Sequence, residues 1–215
     1  MQYYLPGCDF NKNHPEAGAK LREYMLAQHG LTEAPCCRAR ELSAGADDTI
    51  VENCTLCELM LTERFPQTRL ISLYEWVLSD PAFPWPDFTG REMTLQDCAR
   101  ARNNPQLQDA VRACLDRMHV RYLELEQRRE QTRFDGVWLY NPPAPDCVEL
   151  APHTFAELER RRELLPPAEQ KQRMEQWVAR YATDEVAVYC NGCERGVRLG
   201  GKQPFQVIEL LAEGL

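Results

Sequence analysis

Most of the chemistry this chain can offer lies in its ten cysteines, at positions 8, 36, 37, 54, 57, 98, 114, 147, 190 and 193. Thiolate sulfur binds soft metals, carries iron–sulfur clusters and attacks disulfides. Five of the ten, Cys8, Cys36, Cys37, Cys54 and Cys57, fall within the first 57 residues. Neighbouring side chains on extended backbone point to opposite faces, so one tetrahedral zinc rarely takes both members of a pair such as Cys36-Cys37. A multi-iron cluster can offer each sulfur its own metal. Five convergent thiols also exceed the usual four of a structural zinc site or an ordinary cubane cluster. Other chemistries find no support. His14, His29, His119 and His153 lack ligand spacing and read as surface or capping residues. There is no Ser/His/Asp order, phosphate-cradling glycine loop or dinucleotide fingerprint.

The elements that must position these thiols share a pattern of strand, then cysteine, then helix. Gln2–Leu5 leads into Cys8, Thr49–Val51 into Cys54-Thr55-Leu56-Cys57, Met93–Leu95 into Cys98, and Val186–Tyr189 into Cys190-Asn191-Gly192-Cys193. Strands alternating with helices predict βαβ units, an α/β fold with small, mostly parallel sheets. The carboxyl ends of such strands face one crevice, where helix N-termini favour anions and lower a thiol's pKa. The spacing therefore predicts thiolates gathered at one sheet edge.

The remaining segments read as scaffold. Leu107, Val111, Cys114, Leu115 and Met118 share one face of a helix predicted over 103–118, which makes Cys114 a core side chain. Val120–Leu125 reads as a strand, and Thr154–Leu165 and Pro167–Tyr181 as helices. Arg160-Arg161-Arg162, flanked by Glu159 and Glu163, reads as a solvated, salt-bridged helix face. Cys147 sits in a proline loop and is expected to hold no metal. The Pro- and aromatic-rich run 80–90 is either a connector whose rings pack back on the fold or a partner surface.

Composition narrows the functional class. The 215 residues carry 33 acidic and 25 basic side chains, a net charge of −8, which argues against a broad basic surface for nucleic acid. No apolar run reaches the roughly 20 residues of a membrane span. The N-terminal segment has no basic or apolar signal region, so a reducing, cytoplasmic setting is expected, with cysteines used for metal or redox work.

The chain also repeats itself. Cys54-x-x-Cys57 and Cys190-x-x-Cys193 each follow a β-branched strand preceded by acids, Asp47-Asp48 and Asp184-Glu185. Downstream, Ser72–Val77 matches Gln206–Leu211, and upstream Gly7-Cys8 corresponds to Asp97-Cys98. Two copies of one α/β unit are expected, at 1–79 and 91–215, joined by the linker 80–90.

The order Leu5-Pro6-Gly7-Cys8, Pro35-Cys36-Cys37 and Cys54-Thr55-Leu56-Cys57 resembles the cysteine-rich CCG domain in the disulfide-cleaving subunit of heterodisulfide reductase. Related domains occur in iron–sulfur subunits of glycolate, lactate and glycerol phosphate oxidation systems. In the second half, Thr94–Cys98 resembles the family's strand ending in Asp-Pro-Cys, and Val188–Cys193 its closing Cys-x-Gly-Cys. Arg129–Gly136 occupies the place of the second Cys-Cys-Gly, with Phe134-Asp135 where the pair would stand. Arg38 replaces the glycine of the first, and only 16 residues separate Cys37 from Cys54, where the family has about twice as many.

The resemblance implies a noncubane 4Fe-4S cluster, or in some members a zinc ion, on Cys8, Cys36, Cys37, Cys54 and Cys57. It implies an iron–sulfur oxidoreductase subunit that transfers electrons or reduces a disulfide, served by a flavin- or iron-sulfur-containing redox partner. The second set is incomplete. Cys98, Cys190 and Cys193 are expected either to hold zinc, with Asp135 or water as fourth ligand, or to be an empty remnant. The rival expectation is a non-catalytic zinc-binding or assembly protein that has kept the fold.

Overall fold

Short β-branched and aromatic runs, each stopped by a helix-starting residue, give eight strands and ten α-helices in the computed structural model, which describes all 215 residues. In the first half, β1 (Gln2–Leu5), β2 (Thr32–Glu33), β3 (Thr49–Glu52) and β4 (Arg69–Ser72) form a sheet in the order β2-β1-β3-β4. In the second, β5 (Glu92–Leu95), β6 (Arg121–Glu124), β7 (Glu185–Val188) and β8 (Gln203–Gln206) form another in the order β6-β5-β7-β8. Every pairing is parallel, so the fold is α/β.

Helices α1 (Cys8–Asn13) and α2 (Pro15–Glu23) follow β1, α3 (Thr55–Arg64) joins β3 to β4, and α4 (Leu73–Ser79) follows β4. Their counterparts in the second half are α5 (Pro105–Arg117) after β5 and three helices before β7: α6 (Pro145–Leu150), α7 (Pro152–Glu159) and α8 (Pro167–Val178). Helix α9 (Asn191–Leu199) then joins β7 to β8, and α10 (Val207–Ala212) follows β8. Both repeated helix starts are visible. Ser72 and Glu75 form a reciprocal cap at α4, and Gln206 holds the same place before α10 without a side-chain cap.

The halves meet as two subunits of a symmetric dimer would. Helix α2 packs on α10, and reciprocally α5 packs on α4. One apolar core therefore spans both halves. Strand alternation feeds it: Tyr4 and Val51 enter this shared core, while Leu5 and Ile50 face a second cluster on the other side of the first sheet. That outer face is closed by Cys147, Ala151, Phe155 and Leu158, from α6, α7 and the junction between them. The chain's second half thus covers its first. In the connector 80–90, Phe83 is buried edge-on against Tyr24 and Trp85, and Trp85 and Phe88 pack on the shared core. No helix is long and apolar enough to cross a membrane.

Helix α7 ends at Glu159, short of the expected Leu165, because Arg162 turns inward. Its guanidinium donates to the carbonyls of Trp138 and Asn141 and pairs with Glu159. Arg160 and Arg161 are left without a carboxylate partner, so of the expected salt-bridged run only the Arg162–Glu159 pair forms.

His14, expected as a surface or capping residue, holds the N-cap position of α2 without a side-chain cap bond and is not a surface group. It precedes Pro15 at the start of α2, stacks on Phe10, and bridges to the second half. Its Nε2 lies 3.1 Å from Glu194 and its Nδ1 3.0 Å from Glu209. Glu194 first, then Glu209, push the imidazole pKa up to about 9. A raised histidine pKa favours the protonated fold, so this clasp acts fully below about pH 6.5 and fades as pH rises through about 9. Anaerobic urea unfolding should show wild type losing about 1–3 kcal/mol more than His14→Gln between those limits. Parallel curves for the two proteins would remove the charged clasp.

Candidate metal centres

The first thiol set is built on the carboxyl ends of β1 and β3. Cys8 opens α1 directly after β1, and Cys54 is the N-cap of α3 directly after β3. The two turns touch. Gly7 adopts φ +70°, and any Cβ there would overlap the Asn53 side chain, whose Nδ2 donates to the Pro6 carbonyl at 2.8 Å. The Cys54 N–H donates to the buried carboxyl of Glu52 at 2.6 Å. Cys36 and Cys37 come from the loop after β2, held where Arg64 donates to the carbonyls of Cys37 and Ala39.

These five sulfurs form a chain of contacts rather than a ring. Cys8 and Cys36 lie 3.7 Å apart, and Cys37 and Cys57 3.2 Å apart. Cys36 also takes a hydrogen bond from Cys37, and Cys54 one from Cys57. The donated protons are felt at both ends. Cys36 is held well below the usual thiol range by Cys37, Cys8 and the neighbouring Arg38, and Cys54 is lowered by Cys57. Cys8 and Cys37 are raised because Cys36 holds the charge. Cys147 is buried beside Arg38 and borders the same cavity, a placement its proline-loop setting does not predict.

The second set is tighter. Cys98, Cys190 and Cys193 are buried, with their sulfurs all within 4.8 Å of one another. This triad can hold a metal ion. Cys190 is the N-cap of α9, with φ −147° and ψ 129°, close to the −142° and 119° of Cys54 at α3. Hydrogen bonds from Cys193 and Cys98, helped by the charge of Arg100, lower the Cys190 thiol. Burial pushes Cys98 and Cys193 up. Cys114 stands apart as a fully buried core residue, its sulfur 3.7 Å from the Tyr74 carbonyl.

Phe134-Asp135-Gly136 lies against this triad. The Phe134 carbonyl accepts from Ala99 N–H at 2.8 Å and from Cys193 Sγ at 3.8 Å. Asp135 does not join the three sulfurs within that radius; its Oδ1 instead accepts from Arg100 Nε at 2.8 Å. Burial raises the Asp135 carboxyl, against the pull of Arg100. Gly136 has φ +53°, and a Cβ there would run into the Gly192 carbonyl.

A buried polar frame, unpredicted from the cysteine spacing, sets Cys98. Asp97 accepts from both terminal nitrogens of Arg112, at 3.1 and 2.8 Å, and from Tyr189 Oη at 2.8 Å. Tyr189 Oη in turn accepts the Cys98 N–H at 3.1 Å. Burial alone would raise the Asp97 carboxyl, but Arg112 outweighs it and keeps the group below its ordinary range. Removing one partner of such a buried pair costs about 3–5 kcal/mol.

Members of both sets, four thiols of the first and Cys190 of the second, border one cavity of about 330 Å³. Cys8, Cys37, Cys54 and Cys57 border it on one side, and Cys190, Asn191, Arg100 and Trp138 on the other. Thr55 Oγ1 sits 3.9 Å from Cys98 Sγ, and the charges of Cys54 and Cys190 oppose each other. Pro143, Ala144, Cys147 and Phe155 complete the wall beside the loop between Cys37 and Cys54.

No family model matches this chain. No curated protein and no solved structure matches it either.

Two glycines with similar backbone separate strain from crowding. Gly30→Ala, at φ +70° with nothing within 4 Å, should cost about 1 kcal/mol in denaturant unfolding. Gly136→Ala should cost more than about 3 kcal/mol, because the Gly192 carbonyl must also move. Equal losses would show that the loop does not need its close approach to α9.

Proposed function

We propose that the chain is an iron–sulfur oxidoreductase component of the kind it resembles, with Cys8, Cys36, Cys37, Cys54 and Cys57 holding a noncubane 4Fe-4S cluster. The observation that carries this reading is the shared cavity. Cys8, Cys37, Cys54 and Cys57 of the five-thiol chain line it together with Cys190 of the compact triad, and its volume suits a small ligand. The donor set fits a polynuclear group. No three sulfurs of the first set come as close together as the triad does, yet all five are linked in sequence, which suits several metals better than one.

Such a cluster supplies one-electron chemistry and an iron that can accept a substrate sulfur. The chain's own residues do the rest. The α3 and α9 N-termini stabilise sulfur anions, while Phe155, Met60 and Trp138 shield the cavity from water. Arg38 and Lys12 place positive charge at its border. The substrate on this reading is a thiol or disulfide, and the electrons come from a flavin- or iron-sulfur-containing partner. A reducing, cytoplasmic setting belongs to this reading, since it keeps thiols available for metal.

The mutual closeness of Cys98, Cys190 and Cys193 favours a second reading for that site. Three sulfurs within 4.8 Å of one another suit a single tetrahedral ion, which makes zinc the better candidate there. A protein that keeps only that ion would be a zinc-binding assembly factor and not a redox enzyme.

Purification without air, followed by iron, sulfide and zinc analysis, separates the readings. About four irons and matching sulfide per chain are expected, with broad visible absorption. A colourless protein carrying only stoichiometric zinc overturns the cluster. Cys36→Ser should abolish iron binding, whereas Cys114→Ser should leave metal content unchanged. Equal loss in both would show that the five-cysteine ligand set is wrong.

A further inference from the structure

Beside the thiol cavity lies a second one, of about 430 Å³, with a different chemistry. Arg100, Arg102, Arg160 and Arg161 line it, together with Asn103 and Thr154. In a chain of net charge −8, four arginines around one small cavity are a marked local reversal. None of Arg102, Arg160 and Arg161 lies within ion-pair distance of a carboxylate. Glu157 is the acidic residue on the rim, and Asp135, which Arg161 faces at longer range, is already bonded to Arg100.

Arg100 itself is incompletely bonded. Its side chain is 4% exposed, and its Nε is satisfied by Asp135. Its Nη1 is buried with no hydrogen-bond partner at all. A buried guanidinium N–H without an acceptor is rare and points to a missing one. Arg100 forms part of the wall between the two cavities, since it borders both.

We propose that this second cavity is an oxyanion site for a phosphorylated small molecule, a phosphate monoester or diphosphate. Guanidinium groups meet phosphate oxygens with paired N–H donors, and several arginines around one cavity match a multiply charged group better than a single carboxylate. The volume admits a small ligand, not a macromolecular strand. Arg160 and Arg161 are available because α7 stops at Glu159, which frees both from the helix face their sequence suggests. The site does not depend on which metal the cysteines hold.

The test is calorimetric titration of the anaerobically purified, metal-analysed protein with inorganic phosphate and with pyrophosphate. One saturable site is expected, with pyrophosphate tighter than phosphate and both weakened by salt. The double variant Arg160→Gln, Arg161→Gln should lose at least roughly tenfold in affinity with unchanged thermal stability and metal content, since both groups sit away from the core. Arg100→Gln should lose binding as well, and Arg180→Gln, which is remote from the cavity, should not. Absence of saturable binding below about 10 mM, or unchanged affinity in the double variant, overturns the site. Those failures would leave the metal content, and with it the redox reading, untouched.

Discussion

A negative charge on sulfur survives inside a protein only where hydrogen-bond donors or a cation meet it. That requirement organises this molecule. Each half places one cysteine at the N-cap of the helix after its third strand, Cys54 at α3 and Cys190 at α9, where free backbone N–H groups converge. Each of these sulfurs also takes S–H hydrogen bonds from neighbouring cysteines. Parallel strands put all such helix starts on one side of a sheet, so the need to stabilise thiolates and the need to bury two sheets are met by one topology. The reciprocal packing of α2 on α10 and α5 on α4 then brings the two sets to face each other.

The halves differ in how they neutralise charge at topologically equivalent places. In the first, the loop after β2 supplies Cys36 and Cys37, with Arg38 beside them. In the second, the corresponding loop supplies Phe134 and Asp135, and Asp135 is matched to the buried Arg100. A buried carboxylate needs its own cation, and a buried cation its own acceptors. Where the first half has a thiol pair, the second thus has a carboxylate that requires an arginine in the wall of the cavity. That arginine borders both the thiol-lined cavity and the basic one.

Much of this was legible in the sequence. The β-branched runs ending in cysteine mark the strand and helix boundaries that matter, and the internal match of Ser72–Val77 to Gln206–Leu211 falls on two helices that start at the same relative residue. Cys114 follows its helical period into the core. The misread features depend on contacts distant in sequence. Nothing local to Pro145–Glu159 says that it covers the first sheet. The spacing of Arg112 does not show that it holds Asp97, and the lone His14 carries no sign of two glutamates that lie 180 and more residues away. The arginine run at 160–162 looks like a solvated helix face because its flanking glutamates are adjacent in sequence, while the inward-turned Arg162 is held by backbone carbonyls at Trp138 and Asn141.

The covering of the first sheet by α6 and α7 has a consequence for biosynthesis. The five early cysteines leave the ribosome within the first 57 residues, but the wall of their cavity needs Cys147, Phe155 and Arg162. An ion pair such as Arg38–Asp146 closes a span of 108 residues, so the nascent chain carries its thiols exposed until three-quarters of it has been made. Closure of the thiol-lined cavity is thereby tied to a late moment in translation.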